Sequence, residues 1–291
     1  MQDRAFSSPL GLVAGSGALP LHIAEAARQA GREVFVVALQ NEADEAIAAF
    51  PHAWNELGHM AAAADKLLGA GCEELVIIGG IERPKLETMS LDEGGEWFMR
   101  EAASGAHTGD DQLLKIIIAY FQMRGLDVQP AQKYLTALTG KSGAHTAHAH
   151  APHQADIDHA VQVARVIGSA DIGQSVVVAD RLVLAVEGPE GTDNMLRRVL
   201  ELPNGLRGSQ TDKRGVLAKF PKPQQDRRVD LPTIGRRTIE GVCATHLAGI
   251  VYEAGGALFD DFDAVAKLAE ENGLFLLGLE PPATDPANDG Q

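Results

Sequence analysis

The segment Gly215–Gly235 holds the densest group of side chains able to do chemistry. A predicted strand leads there into a proline-containing loop with two lysines, two arginines and two aspartates. Such cations offset the charge of an anionic substrate, and embedded carboxylates suit a metal-assisted attack of water. Leu231-Pro232 and two earlier prolines restrict the loop and hold Asp230 with little entropy to lose. The alternative is a chance cluster of charges in a solvated loop.

The segment Glu187–Asp193 offers two further carboxylates between a predicted buried strand and a predicted helix. Glu187 and Asp193 could help to bind a cation, and Gly191-Thr192 could contact a phosphate. Capping of the following helix explains the same residues at least as well.

Gly15-Ser16-Gly17 forms a turn between a predicted strand and a predicted helix. Backbone N–H groups at such a turn favour an anion. The dinucleotide fingerprint is incomplete, because Pro20 replaces its third glycine and Leu39-Gln40 ends the second strand without an acidic residue. NAD binding is therefore disfavoured, while a phosphate or nucleotide site and a simple tight turn both stay open.

A second turn, Gly79–Pro84, follows another predicted strand, where ligands of open α/β sheets bind. Arg83 either clamps a phosphate bidentately or pairs with Glu82 or Glu87 at the surface. Further along, Gly109-Asp110-Asp111 begins a predicted helix, and capping explains its aspartates better than a metal role does.

Histidines cluster in and just after one small-residue segment, with five of the ten at positions 145, 148, 150, 153 and 159. Such a segment can capture zinc or nickel adventitiously, and we expect no dedicated metal site there. The sequence contains no serine-hydrolase elbow, His-Glu-x-x-His, lysine-containing phosphate loop or Cys-x-x-Cys. The paired-metal phosphoesterase signature is also missing, so the common classes that depend on these motifs are excluded.

The overall charge is strongly acidic, with 25 basic and 40 acidic side chains among 291 residues and a formal net charge of −15. We expect no nucleic-acid partner, because sequence-independent binding depends on cationic surface. Two cysteines, Cys72 and Cys243, are too few for a disulfide framework and favour a reducing cytoplasm. No apolar run reaches the length of roughly 20 residues that spans a bilayer, and no signal-peptide pattern begins the chain.

Strands and helices alternate in the first half, which predicts a parallel sheet with helices on both faces. Apolar runs predict strands at 11–14, 34–39 and 75–78, and helical spacing predicts helices at 20–30, 61–70 and 110–123. In the second half we predict a helix at 156–167, a hairpin at 176–179 and 182–186, helices at 192–200, 238–248 and 262–271, and strands at 215–220, 250–251 and 274–278.

We therefore predict an α/β protein of two domains. Residues 1–139 form a Rossmann-like parallel sheet, and residues 155–282 form a mixed α/β sheet that carries the chemistry. A His-rich linker at 140–154 joins them, and 283–291 is a disordered tail. We expect the ligand site in the cleft between the domains.

Several of these motifs together, in this order, resemble one known family. They are the N-terminal turn, the segments 79–84, 109–111, Asp171–Gln174, Glu187–Met195 and 215–235, and Leu247–Gly255. The match spans about residues 9–280. The family is the UDP-2,3-diacylglucosamine pyrophosphatase of lipid A biosynthesis, of the LpxI type, which is unrelated to the calcineurin-like enzyme for the same step.

The resemblance implies hydrolysis of UDP-2,3-diacylglucosamine to 2,3-diacylglucosamine 1-phosphate (lipid X) and UMP, by attack of water on the β-phosphate. It also implies a divalent cation, usually Mg²⁺. The family's essential aspartate corresponds to Asp230, and Asp226 is the second candidate for a catalytic carboxylate. We expect Asp230, with Glu187 and Asp193, to bind the metal, or Asp230 to orient the water.

The expected substrate-binding residues are the glycines, polar side chains and cations of these motifs. They are Gly15, Ser16, Gly17, Arg83, Gln174, Gly191, Thr192, Lys219, Lys222, Gln225, Arg228 and Thr233. We expect a cytoplasmic enzyme, peripheral to the inner membrane, that binds UDP-2,3-diacylglucosamine and lipid X, and the resemblance allows a homodimer. A pyrophosphatase for another nucleotide sugar and a non-catalytic binder of lipid X or a nucleotide stay open.

Overall fold

The computed structural model describes residues 6–82, 89–104, 110–134, 138–223, 225–228 and 231–281, without the side chains of Asp110 and Asp111. Arg83, Gly109, Asp230 and the predicted tail lie outside the described residues. The chain divides into two compact units. The first unit is Met1–Thr136 with Gln225–Asp230, and the second unit is Ala137–Gln224 with Leu231–Gln291.

The first unit contains a five-stranded sheet, which confirms the predicted Rossmann-like parallel sheet. Its elements are β1 (Leu10–Ala14), α1 (Leu19–Gln29), β2 (Val34–Leu39), β3 (His52–Asn55), α2 (Met60–Gly69), β4 (Glu74–Ile78), α3 (Glu93–Ser104), α4 (Asp110–Met123) and β5 (Asp127–Val128). The strand order is β3-β2-β1-β4-β5, and every neighbouring pair is parallel.

Both faces of this sheet are buried. On one face, Val13 of β1 packs with Leu67 of α2 and Ile118 of α4. Leu10 and Leu12 alternate with Val13 along the strand and are also fully buried. A strand buried on both faces is apolar along its whole length. This is why short apolar runs in the sequence predicted β1, β2 and β4.

Three elements of the first unit, α3, β3 and the two-residue strand β5, were not predicted from the sequence. Helix α3 contains adjacent glycines, which lower helix propensity. A Cβ on Gly94 would lie 2.4 Å from the Tyr120 hydroxyl oxygen, and one on Gly95 would lie 2.1 Å from the Gly58 carbonyl oxygen. Close packing therefore requires these glycines in a helix. Edge strand β3 is half-buried and lacks a continuous apolar run.

The second unit contains a mixed sheet, as predicted, and its six strands lie in the order β6-β15-β13-β11-β7-β8. Its elements are β6 (Gly143–Ala144), α5 (Gln154–Ser169), β7 (Ser175–Ala179), β8 (Leu182–Val186), α6 (Gly191–Leu200), α7 (Asn204–Arg207), β9 (Gly208–Ser209), β10 (Asp212–Lys213), β11 (Val216–Lys219), β12 (Thr233–Ile234), α8 (Arg236–Ala244), β13 (Gly249–Glu253), β14 (Leu258–Phe259), α9 (Phe262–Glu271) and β15 (Phe275–Leu279). Strands β11, β13 and β15 are parallel, and β7 and β8 form the predicted antiparallel hairpin. In the described part of the chain, no helix has both the length and the apolar character needed to cross a bilayer.

The predicted end of the helix at 238–248 is wrong, because α8 stops at Ala244. His246 has a left-handed backbone, with φ at 59°, and the Leu247 N–H donates to the Val242 carbonyl oxygen at 3.2 Å. This geometry closes a helix as a glycine usually does. Since histidine stands at that position, the sequence carried no stop signal.

The His-rich segment 140–154 lies with the second unit. Strand β6 within it pairs with β15, and the Leu276 N–H donates to the Thr146 hydroxyl oxygen at 3.2 Å. The His153 ring lies 5.7 Å from the Phe275 ring, centroid to centroid. The described part of this segment is therefore attached to the edge of the second sheet.

Candidate active site

Two glycine turns meet at the carboxyl edge of the first sheet. Strands β1 and β4 are neighbours, and the Ser16 N–H donates to the Gly80 carbonyl oxygen at 2.8 Å while the Gly80 N–H donates to the Ser16 carbonyl oxygen at 3.0 Å. The strand order reverses direction here, which is where ligands bind in open α/β sheets. The structure thus brings the two predicted turns together, with Arg83 outside the described residues.

Close backbone approach accounts for two of these glycines. A Cβ on Gly15 would lie 2.3 Å from the Gly80 carbonyl oxygen, and one on Gly79 would lie 2.6 Å from the Gly15 carbonyl carbon. Gly17 differs, because its φ is +94° and open space surrounds the position of a Cβ. It precedes α1, whose N-terminus has no side-chain cap. A phosphate contact at Gly17 therefore has room in this turn and stays a prediction.

Lys219, at the end of β11, is the centre of a buried polar cluster. It is 6% exposed, and its Nζ donates to Thr192 Oγ1 at 3.0 Å and to the Thr233 carbonyl oxygen at 2.8 Å. Thr192 Oγ1 in turn donates to Glu187 Oε1 at 3.0 Å and lies 3.3 Å from Ser175 Oγ. We call these five residues the Lys219 cluster. It unites four predicted site residues and adds Ser175, the one polar residue of the valine-rich strand β7.

The predicted metal ligands do not form a group among the described residues. Glu187 accepts hydrogen bonds on both oxygens, from Thr192 and from the Gln174 N–H at 3.4 Å. Asp193 is exposed on the first turn of α6. No three Asp, Glu, His or Cys side chains of the described residues lie together as a metal site would need. The Lys219 ammonium, linked to Glu187 through Thr192, also opposes a second cation there. The magnesium site stays a prediction centred on Asp230.

Gln174 and Lys222 occupy different environments. The Gln174 side-chain oxygen is buried and accepts no hydrogen bond from the described residues. A buried amide oxygen in this state is costly unless a donor, such as a ligand hydroxyl or N–H, satisfies it. Lys222 is 8% exposed and its Nζ donates to Asp171 Oδ1 at 2.5 Å. Its charge is thus offset by Asp171 within the second unit.

Asp226 and Arg228 form a tight local pair. Arg228 donates to Asp226 from Nε at 2.9 Å, from Nη2 at 2.6 Å and from its backbone N–H at 3.0 Å. These bonds, with a contribution from Lys115, hold the pKa of Asp226 below its usual range, although burial opposes them. The ionised Asp226 therefore orients Arg228, two residues before Asp230, and is a weaker base than an unpaired aspartate.

Sequence reasoning missed the side chains that surround this segment in the first unit. Gln132 Nε2 donates to the Arg227 carbonyl oxygen at 3.1 Å. Lys115 of α4 lowers the pKa of Asp226, and Asp127 of β5 helps to raise that of Arg228. Because the segment lies about 90 to 110 residues away in the chain, no local pattern links it to these residues.

An open apolar groove lies beside Glu187 in the second unit. It encloses about 600 Å³, and its lining comprises Ile172, Val186, Glu187, Gly188, Glu190, Asn194 and Arg198. Ile172 is 54% exposed at its rim. Two of its lining side chains, Ile172 and Val186, are apolar and offer a surface for an alkyl group.

Comparison with known proteins shows two family-level matches. The family model for the LpxI N-terminal domain matches residues 9–138, and the family model for the LpxI C-terminal domain matches residues 141–277. The chain is also 42% identical over 273 residues to the UDP-2,3-diacylglucosamine pyrophosphatase LpxI of Caulobacter vibrioides. That match covers 94% of this chain and 98% of the relative.

Proposed function

The chain belongs to the LpxI family, and on that premise we propose that it hydrolyses UDP-2,3-diacylglucosamine to 2,3-diacylglucosamine 1-phosphate and UMP in lipid A biosynthesis. The observation that carries this proposal is the 42% identity, over 94% of the chain, to a relative named as a UDP-2,3-diacylglucosamine pyrophosphatase. The protein is then a hydrolase that acts on a phosphoric anhydride.

The second unit supplies chemistry suited to both ends of this substrate. In the Lys219 cluster, the ammonium offers a buried positive charge for phosphate oxygens, and its hydrogen bonds to Thr192 and Thr233 hold it in place. The groove at Ile172 and Val186 accepts part of an acyl chain. The Gln174 side-chain oxygen accepts a hydrogen bond from the sugar or the nucleotide.

The chemical step is assigned to Asp230, which orients the water that attacks the β-phosphate and takes up its proton. Arg228, fixed by Asp226, offsets charge that develops on the phosphate oxygens. A magnesium requirement belongs to the proposal through the family resemblance. The described residues provide no group of metal-binding side chains, so the roles given above belong to the protein side chains and not to the metal.

We further propose that the protein works in the cytoplasm at the inner-membrane surface, where a diacylated substrate is available. Flotation with phospholipid vesicles tests this location, since a peripheral protein floats with the vesicles and a protein that does not bind the membrane stays in the dense fraction. A homodimer is part of the same proposal. Sedimentation equilibrium should then give twice the monomer mass.

The test of the reaction is a mass-spectrometric assay of UMP and 2,3-diacylglucosamine 1-phosphate with purified protein, with and without EDTA. We expect magnesium-dependent release of both products and a loss of several orders of magnitude in Asp230→Asn. The matched control is Asp193→Asn, which makes the same chemical change at an exposed carboxylate. Full activity in Asp193→Asn, with none in Asp230→Asn, would show that the reaction depends on Asp230 and not on Asp193.

Two results would contradict the proposal. Folded protein that binds the lipid without releasing UMP would be a carrier. Release of UMP from a water-soluble nucleotide sugar, with no dependence on acyl chains, would identify another pyrophosphatase.

A further inference from the structure

Glu187 is a buried carboxylate that directly follows strand β8 in the second unit. It is 7% exposed, and its backbone N–H donates to the Ser175 carbonyl oxygen of β7 at 2.9 Å. A Cβ on Gly173 would lie 2.2 Å from the Glu187 carbonyl oxygen, so the chain before β7 passes directly against this residue. The hairpin therefore fixes the backbone from which the carboxylate extends.

Both oxygens of this carboxylate accept hydrogen bonds from predicted substrate-binding residues. Oε1 accepts from Thr192 Oγ1 at 3.0 Å, and Oε2 accepts from the Gln174 backbone N–H at 3.4 Å. Thr192 is the second residue of α6, and its Oγ1 accepts from Lys219 Nζ at 3.0 Å. Because a hydroxyl has a single hydrogen and Thr192 directs it to Glu187, the oxygen lone pairs face the Lys219 ammonium. The carboxylate thus sets the direction of the Thr192 hydroxyl.

The Thr192 hydroxyl lies between a carboxylate and an ammonium and is bonded to both. A direct ion pair would bring the negative charge of Glu187 against any phosphate held by Lys219. The intervening hydroxyl keeps that charge two hydrogen bonds away and still fixes the ammonium. Because Thr192 is 8% exposed and Lys219 is 6% exposed, these hydrogen bonds are stronger than they would be in water.

We propose that Glu187 is a positioning residue for phosphate binding by Lys219, acting through the Thr192 hydroxyl, rather than a magnesium ligand. Loss of the carboxylate lets the hydroxyl rotate, and the ammonium then loses a fixed acceptor. The contact of Lys219 with phosphate weakens equally in the bound substrate and in the transition state, so KM rises while kcat is kept. This inference rests on the proposed function, in which Lys219 binds phosphate oxygens.

The test uses the full-length protein with Glu187→Gln, which keeps the shape of the side chain but removes its charge and one acceptor oxygen. The matched control is Glu201→Gln, which makes the same chemical change at an exposed position directly after α6. We expect Glu187→Gln to raise KM about tenfold and to leave kcat within about threefold of the wild type. Glu201→Gln should match the wild type.

A double-mutant cycle tests whether Glu187 acts through Thr192. Thr192→Val removes the hydroxyl, so adding Glu187→Gln to it should raise KM by less than about threefold further. Thr192→Ser keeps the hydroxyl, and Glu187→Gln should raise KM in that variant as much as in the wild type. Increases in KM that are fully independent in Glu187→Gln and Thr192→Val would overturn the inference.

Equilibrium binding of the two products in the presence of EDTA gives a readout without turnover. The probes are UMP and 2,3-diacylglucosamine 1-phosphate, which each carry one phosphate group of the substrate. We expect Glu187→Gln to raise the Kd of one of them about tenfold, which identifies the phosphate that Lys219 contacts. Unchanged binding of both products in Glu187→Gln would overturn the inference.

The outcomes separate this inference from the proposed function. A wild type that binds a product but releases no UMP from UDP-2,3-diacylglucosamine refutes the function, and product binding still tests Glu187. A wild type that binds neither product overturns both. A higher Mg²⁺ concentration for half-maximal activity in Glu187→Gln would identify a metal ligand and overturn the inference. If Glu187→Gln does not fold, Glu187→Asp keeps the carboxylate one methylene short and should raise KM and Kd in the same direction.

Discussion

Thr192→Val is the substitution whose effect follows most directly from the Lys219 cluster. Thr192 is 8% exposed, and valine replaces its hydroxyl by a methyl group of the same shape. The hydroxyl accepts from Lys219 Nζ and donates to Glu187 Oε1, both at 3.0 Å. The change therefore leaves an ammonium and a carboxylate each short of one hydrogen bond.

Hydrogen bonds to charged groups contribute roughly 1.5–3 kcal/mol each. Because Lys219 keeps the Thr233 carbonyl oxygen and Glu187 keeps the Gln174 N–H, we take the lower end for both and expect a loss of about 3 kcal/mol. That loss corresponds to roughly a hundredfold increase in the opening equilibrium of the surrounding strands.

Hydrogen–deuterium exchange of peptides from β7 and β11 is the suitable assay. Both tryptophans, Trp54 and Trp97, lie in the first unit, so their fluorescence does not report on the second. The control is Thr245→Val, since Thr245 is 1% exposed and donates only to carbonyl oxygens of α8. We expect about 1 kcal/mol there. Equal losses of stability in Thr192→Val and Thr245→Val would refute the argument that the charged partners of Thr192 strengthen its hydrogen bonds.

Two further predictions concern acid stability and the meeting of the turns. The lowered pKa of Asp226 means that its ionised form stabilises the folded state above the ordinary aspartate pKa of about 3.9, and this contribution is lost as the pH falls through the lowered value. Thermal midpoints of wild type and Asp226→Asn should therefore differ at pH 7 and converge as the pH falls through the lowered pKa of Asp226. A difference that does not change with pH would refute the pairing with Arg228. Gly79→Ala should destabilise the first unit far more than Gly17→Ala in urea unfolding followed by tryptophan fluorescence. Both alanines have unfavourable φ values, but only a Cβ at Gly79 meets the backbone of Gly15; equal effects would contradict the close approach.

Local patterns in the sequence predicted several members of the Lys219 cluster but not the contacts that join them. The apolar strand before Lys219 and the helix start at Gly191-Thr192 were readable, because burial and capping leave local patterns. The hydrogen bonds that link Lys219 to Glu187 through Thr192 could not be predicted from the sequence, because a hairpin, a helix and a strand must converge to form them. Among the described residues, Glu187 lies in a hydrogen-bonded cluster, and the magnesium site stays a prediction.

The sequence by itself determined the α/β class, most strands and helices, and the family, because these depend on short apolar periods and on motifs that stand together in the chain. Only the tertiary structure decided that Ser16 meets Gly80 across 64 residues and that Gln132 holds Arg227 across 95. The physical reason is that a hydrogen bond depends on distance in space, and a folded sheet brings together strand ends whose separation in the chain leaves no periodic trace.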